Sequence, residues 1–179
     1  MLAGVLIVAV LAAATRGLHL DGLAGPFGVA TIALTLLIQV SSLATVLAAS
    51  PRLEACLLVV VTTVTARVAV VQAAGTRVPS ARSQGFGALV AGSVATPERV
   101  IVTGLLLAGA FAADLGLRGS FVRAGLVAAA VASDLTAAWL MRRHAVRRLG
   151  GVTGDVFGAL VEVASSAALL VLATGAVWR

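Results

Sequence analysis

The chain predicts an all-α fold, a polytopic transmembrane helix bundle, on three observations. Mean hydropathy is +1.11, only 11% of residues are charged, and apolar runs near membrane-spanning length follow one another. Soluble domains carry about 25% charged residues, and a helix needs roughly 20 apolar residues to cross a bilayer. With 179 residues, about six spans use up the chain. Residues 1–179 therefore read as a single membrane-embedded helical domain, with the lipid bilayer as its first partner.

The apolar segments run in order. The first, Leu2–Thr15, is short and opens at Met1 without a basic lead-in. It does not read as a secretory signal, and further sequence is expected upstream. Phe27–Ala49 and Leu53–Ala74 are full-length spans. Pro51 falls between them, where its missing N–H costs little. Ser80–Thr96, with Pro79 just before it, is glycine-rich and weakly polar and predicts a loop or interfacial turn. Val100–Ala113 is again short, and Phe121–Met141 and Val156–Val177 complete six. No internal repeat is visible.

Net charge is +6, from 13 basic and 7 acidic residues, and every basic residue is arginine. The arginines stand in short connections between apolar runs, the pattern of topology determinants rather than of a phosphate-tracking stripe, which argues against nucleic acid as a partner. Six spans put Arg16, Arg77, Arg82, Arg99, Arg142, Arg143, Arg147 and Arg148 on one face, and Arg52, Arg118, Arg123 and Arg179 on the other. The richer face is expected in the cytoplasm. Cys56 is the only cysteine, so no disulfide framework is available, and it reads as a small core residue.

Two polar constellations interrupt this apolar chain. The first is Arg16-Gly17-Leu18-His19-Leu20-Asp21-Gly22-Leu23-Ala24. It groups a phosphate ligand, a proton carrier and a metal-binding carboxylate, although a capped polar helix end would look the same. The second is the turn from Leu149 through Gly150, Gly151, Val152, Thr153 and Gly154 to Asp155, ahead of the last span. Successive N–H groups at a helix start could cradle phosphate, while Thr153 and Asp155 also serve as ordinary caps. Glu162 lies seven residues beyond Asp155 on the same helical face. Arg67, Asp134 and Glu162 each sit roughly 12 Å inside the membrane, a depth at which unpaired charge is costly. Their shared level predicts a common polar cavity. Gln39, Ser41 and Ser42 are expected to hydrogen-bond between helices.

The two constellations together resemble the signatures of the cobalamin synthase family, the adenosylcobinamide-GDP ribazoletransferases of bacterial inner membranes. Gly25-Pro26-Phe27-Gly28 resembles the start of that family's following helix, and Ala66-Arg67-Val68-Ala69 a polar position in a middle helix. The resemblance implies a transferase that joins adenosylcobinamide-GDP to α-ribazole, or its 5′-phosphate, with release of GMP. It further implies a multi-pass protein of the cell inner membrane whose motif loops are cytoplasmic. Mg²⁺ is the implied cofactor, held by Asp21 and Asp155. His19 would be the base, so that His19, Asp21 and Asp155 form the catalytic set. Arg16, Arg67, Gly151, Thr153, Gly154 and Glu162 would bind substrate, and homo-oligomerisation stays open.

One departure matters. In the family an acidic Asp-Thr-Ala-Asp-Gly-like stretch follows the first signature, whereas here Ala24 runs directly into Gly25-Pro26-Phe27. Ser165 also stands where related chains often carry another acid. A catalytically impaired or incomplete family member is therefore an alternative. A small transporter using an Arg67/Asp134/Glu162 cavity is another, which the lack of repeats disfavours.

Overall fold

In a computed structural model, residues 26–177 are described. They form α1 (Pro26–Ala49), α2 (Arg52–Ala73), a short α3 (Phe86–Val90), α4 (Thr96–Arg118), α5 (Phe121–Leu149) and α6 (Gly154–Val177). Five of the six are long and apolar enough to cross a membrane. The expected first span, Leu2–Thr15, lies outside the described residues.

Local chemistry explains where the helices begin and end. Pro26 opens α1, where its missing N–H is one that no helix carbonyl would meet. Pro51 precedes α2, and its carbonyl accepts from Ala55 N–H at 2.9 Å. At the start of α4 the Glu98 carboxylate reaches back to Ala95 N–H at 3.1 Å. Gly119 and Gly150 end α4 and α5 in the left-handed region, at φ 62° and 76°. The fourth span is longer than its apolar stretch suggested, because the capped turn at Thr96 and the run to Arg118 extend it at both ends. The fifth likewise continues beyond Met141 to Leu149, carrying four arginines past the apolar stretch.

α6 is the hub, packed against α5, α1 and α2, and it is the most buried of the spans. α4 is the least buried and leans mainly on α5. Alanine dominates the contacts: Ala66, Ala69, Ala138 and Ala164 surround Met141, Val156 and Leu160 in one cluster. A second cluster gathers Val46, Leu58, Val127, Val131 and Leu172. Small side chains let helix backbones approach closely, which matters where lipid supplies no hydrophobic driving force between helices. Val29, Ile32, Leu36, Leu37 and Val40 on α1, and Val100, Ile101 and Leu105 on α4, are exposed and suit a lipid-facing surface. Cys56 is exposed too, not a core residue, because helical phase turns it outward.

The short α1–α2 and α4–α5 connections share one end of the bundle. The 74–95 connection and the α5–α6 turn share the other, joined by a bridge between Ser80 and Val152. α1 begins at this second end.

Candidate functional site

Glycine builds the site. Val152 N–H donates to Pro79 O at 2.9 Å and Ala81 N–H donates to Val152 O at 3.0 Å, so the 79–81 segment lies against the α5–α6 turn. A Cβ on Gly151 would sit 2.5 Å from Ala81 N, Pro79 O and Ser80 C. One on Gly87 would fall 2.8 Å from Thr153 Cα. Two missing side chains thus permit two backbone-on-backbone contacts. Replacing Gly151 by Val should lift the 79–87 segment off the turn; limited proteolysis within Arg82–Gln84 should then speed up, with no change expected if the packing were incidental.

This docking encloses a cleft of about 190 Å³ lined by Ser80, Arg82, Gln84, Gly85, Phe86, Gly87, Thr153, Gly154 and Asp155. Thr153 caps α6: its Oγ1 accepts from Val156 N–H at 3.3 Å, and its carbonyl accepts from Phe157 N–H at 3.1 Å. Asp155, exposed at the second position of α6, lies where a helix N-terminus favours negative charge. Phe157 is buried beneath the cleft and packs edge-on against Phe86, with ring centroids 6.2 Å apart. Ser80 Oγ donates to Arg82 O at 2.7 Å and shapes the turn that presents Arg82. A guanidinium, hydroxyls and the orphan N–H groups of α6 suit phosphate.

The expected cradle of five successive N–H groups is smaller in the structure. Gly150 N–H is used by Val146 O at 3.0 Å and Val152 N–H by Pro79 O, so the first turn of α6 supplies the remaining donors. Gly151 is buried against the 79–81 segment. Its role there is to admit backbone. Thr153, Gly154 and Asp155 all line the cleft. Arg16, His19 and Asp21 lie outside the described residues.

Arg67, Asp134 and Glu162 do not share a cavity among the described residues. Arg67 is exposed on α2 and forms no ion pair or hydrogen bond there. Glu162 is exposed and accepts from Gln39 Nε2 at 2.8 Å, with Ser166 Oγ 3.3 Å from the same nitrogen, tying α1 to α6. Asp134 is fully buried, and neither carboxylate oxygen has a hydrogen-bond partner. Depth along a helix sets the level of a charge but not the direction in which it points, so equal depths did not mean proximity. Of the residues expected to bridge helices, Gln39 does so, whereas Ser41 turns back to Leu37 O at 2.7 Å within α1.

Ser80, Arg82 and Gln84 carry no site signal in the sequence, where their segment reads as a loop and Arg82 as a topology-setting arginine. Gly85-Phe86-Gly87 was the available signal, since glycines around an aromatic often mark close backbone approach. A buried ion cluster was missed as well. Arg123 on α5 pairs with Glu54 on α2, and Asp114 on α4 stands 3.8 Å from the same guanidinium nitrogen. This cluster occupies the end of the bundle opposite the cleft.

Two curated relatives and one family model match the chain. The cobalamin-5-phosphate synthase family model matches residues 24–173. A Frankia casuarinae protein described as adenosylcobinamide-GDP ribazoletransferase is 35% identical over 204 residues, covering 97% of this chain and 71% of its own length. A Nocardioides protein of the same description is 35% identical over 191 residues, covering 93% of this chain and 70% of its own. An alignment of 204 positions against a chain of 179 residues means that the Frankia protein carries segments with no counterpart here. No solved structure matches the chain.

Proposed function

Because the chain belongs to the cobalamin-5-phosphate synthase family, we propose that the cleft between the 79–87 segment and the start of α6 is where it joins adenosylcobinamide-GDP to ribazole. The observation that supports this location is that Arg82 and Asp155 line one cleft at the arginine-rich end of the bundle. The chain is a transferase of cobalamin synthesis and a membrane protein.

The reaction is a phosphoryl-group transfer. A ribazole hydroxyl attacks the phosphorus next to the corrinoid side chain, the bond to the outer phosphate breaks, and GMP departs with the electron pair. Such transfers rest almost wholly on positioning and on neutralising charge. In this reading Arg82 holds the diphosphate, and the first-turn N–H groups of α6 bind its oxygens. Thr153 keeps that turn in register. His19, carried over from the family resemblance, takes the proton of the attacking hydroxyl.

Mg²⁺ would add a Lewis acid for the departing phosphate. Among the described residues no group of three metal-type side chains exists, so no complete protein-made site is present there. The cleft nonetheless fits this ion, because Mg²⁺ commonly takes one or two carboxylates plus phosphate oxygens and water. Asp155 would hold it from α6, with Asp21 as the second carboxylate by resemblance.

Among the described residues, seven arginines (77, 82, 99, 142, 143, 147 and 148) lie in the connections or helix segments towards the cleft side, against three (52, 118 and 123) towards the other end. This excess supports a cytoplasmic cleft in a bacterial inner membrane.

The test is GMP release from adenosylcobinamide-GDP and ribazole by the chain in proteoliposomes with Mg²⁺. Arg82→Ala should raise KM for the corrinoid nucleotide by about tenfold, the loss expected for one charge-assisted contact. Wild-type kinetics from Arg82→Ala would place the diphosphate elsewhere.

A further inference from the structure

A second cleft of about 260 Å³ opens on the flank of the bundle between α2, α4 and α5. Its lining includes Ala69, Gln72, Arg99, Leu135, Trp139 and Arg142. Two arginines from different helices meet there on one carbonyl oxygen: Gln72 O accepts from Arg142 Nη1 at 3.0 Å and from Arg99 Nη1 at 3.4 Å. Gln72 is fixed in turn, its Nε2 donating to Thr103 Oγ1 at 2.5 Å and to Arg99 O at 3.2 Å. Gly75, where a Cβ would collide with the Arg99 guanidinium, lets that side chain lie against the chain just beyond α2.

One carbonyl at a helix C-terminus carries a fraction of a charge, whereas two guanidiniums carry two. Among the described residues no carboxylate lines this cleft, and Arg99 Nε is buried without a hydrogen-bond partner there. The place is therefore electrostatically incomplete and is suited to an anion.

Its surroundings say which anion. Trp139, 45% exposed, lies one turn before Arg142 on α5 and carries the Arg143 guanidinium over its ring at 5.3 Å. A half-exposed tryptophan beside a cluster of arginines marks the membrane–water interface. Leu135, one turn deeper, and Ala69 continue the wall as an apolar surface towards the membrane interior. Neighbouring α4 is the least buried of the described spans, with Val100, Ile101 and Leu105 exposed. The cleft is thus cationic at its mouth and apolar below. Arg143 and Arg147 follow closely on α5, so an ammonium-bearing headgroup would meet like charge.

We propose that this cleft binds an anionic phospholipid of the phosphatidylglycerol class. Arg99 and Arg142 hold the phosphodiester, Trp139 flanks the glycerol region, and an acyl chain lies along Leu135 and Ala69. The site is separate from the transferase cleft, shares no lining residue with it, and does not depend on the proposed reaction.

The test uses the full chain in nanodiscs of phosphatidylcholine with a minor fraction of phosphatidylglycerol. In a Trp178→Phe background, Trp139 reports directly on the cleft. Phosphatidylglycerol brominated on its acyl chains should quench it at least about tenfold more effectively, per mole fraction, than brominated phosphatidylcholine. Arg142→Gln should remove that preference, Arg99→Gln should weaken it, and Arg148→Gln should leave it intact. Equal quenching by the two lipids in the unsubstituted chain would overturn the proposal, and this comparison needs no arginine variant to fold. Loss of the preference on adding inorganic phosphate at constant ionic strength would also overturn it, by showing that the arginines take a free anion.

Discussion

Asp155→Asn is expected to abolish transfer, lowering the rate of GMP release by on the order of 100-fold or more, while leaving the fold nearly untouched. The substitution keeps size and shape but removes the negative charge. Losing preorganised electrostatic stabilisation at a reacting centre typically costs about 10²–10³ in rate. The structural penalty is small because Thr153, not Asp155, caps α6 through its 3.3 Å contact with Val156 N–H. An acid near a helix N-terminus contributes only about 0.3–1 kcal/mol through the helix dipole. The separation of the two effects is the test. Thermal stability in detergent should barely move while activity collapses at all Mg²⁺ concentrations. An Asp155→Asn chain with near-normal turnover would remove Asp155 from the reaction and shift the site towards the first signature.

The largest effect on stability is expected at the other end of the bundle. Arg123→Leu should destabilise the protein by about 3–5 kcal/mol, the usual cost of removing one partner from a buried ion pair. The side chains of Glu54 and Arg123 are 6% and 13% exposed, so water screens their interaction little. Without the guanidinium, Glu54 and Asp114 would both lose a buried counter-charge. The double substitution Glu54→Gln with Arg123→Leu should therefore fall short of the sum of the two single losses. A double-mutant cycle on unfolding in detergent checks this, and strict additivity would show that the two groups are independent. Activity per folded molecule should be unchanged, since the cluster is at the far end of the bundle from Asp155.

The two substitutions also separate kinds of residue that looked alike in sequence. Arg123 read as one topology-setting arginine among four on its face, yet it ties α2, α4 and α5 together. Arg67 reads as part of a common polar cavity with Asp134 and Glu162, yet it is exposed. Both residues are arginines on apolar helices, and only the rotation of each helix about its axis distinguishes them.

Part of the candidate site was legible all the same. The turn from Gly150 to Asp155 stood out because glycine, threonine and aspartate are improbable company in a chain that is 60% hydrophobic. Thr153, Gly154 and Asp155 all line the cleft. Its other wall did not stand out, because Ser80, Arg82 and Gln84 carry no spacing signal and become site residues only through Gly151 and Gly87.

What the sequence by itself determined is the class of the molecule: helices in a membrane, the starts of five spans to within about a turn, and the family. These follow from quantities summed along the chain, such as hydropathy over about 20 residues, and from caps that act within one helical turn. Only the tertiary structure decided which polar groups meet. Such contacts depend on helix rotation and on long-range approach: Arg123 on Glu54, Gln39 on Glu162, and the 79–81 segment on Val152. A helix can turn about its axis without changing its hydropathy, whereas a buried charge can be satisfied at only a few of those rotations.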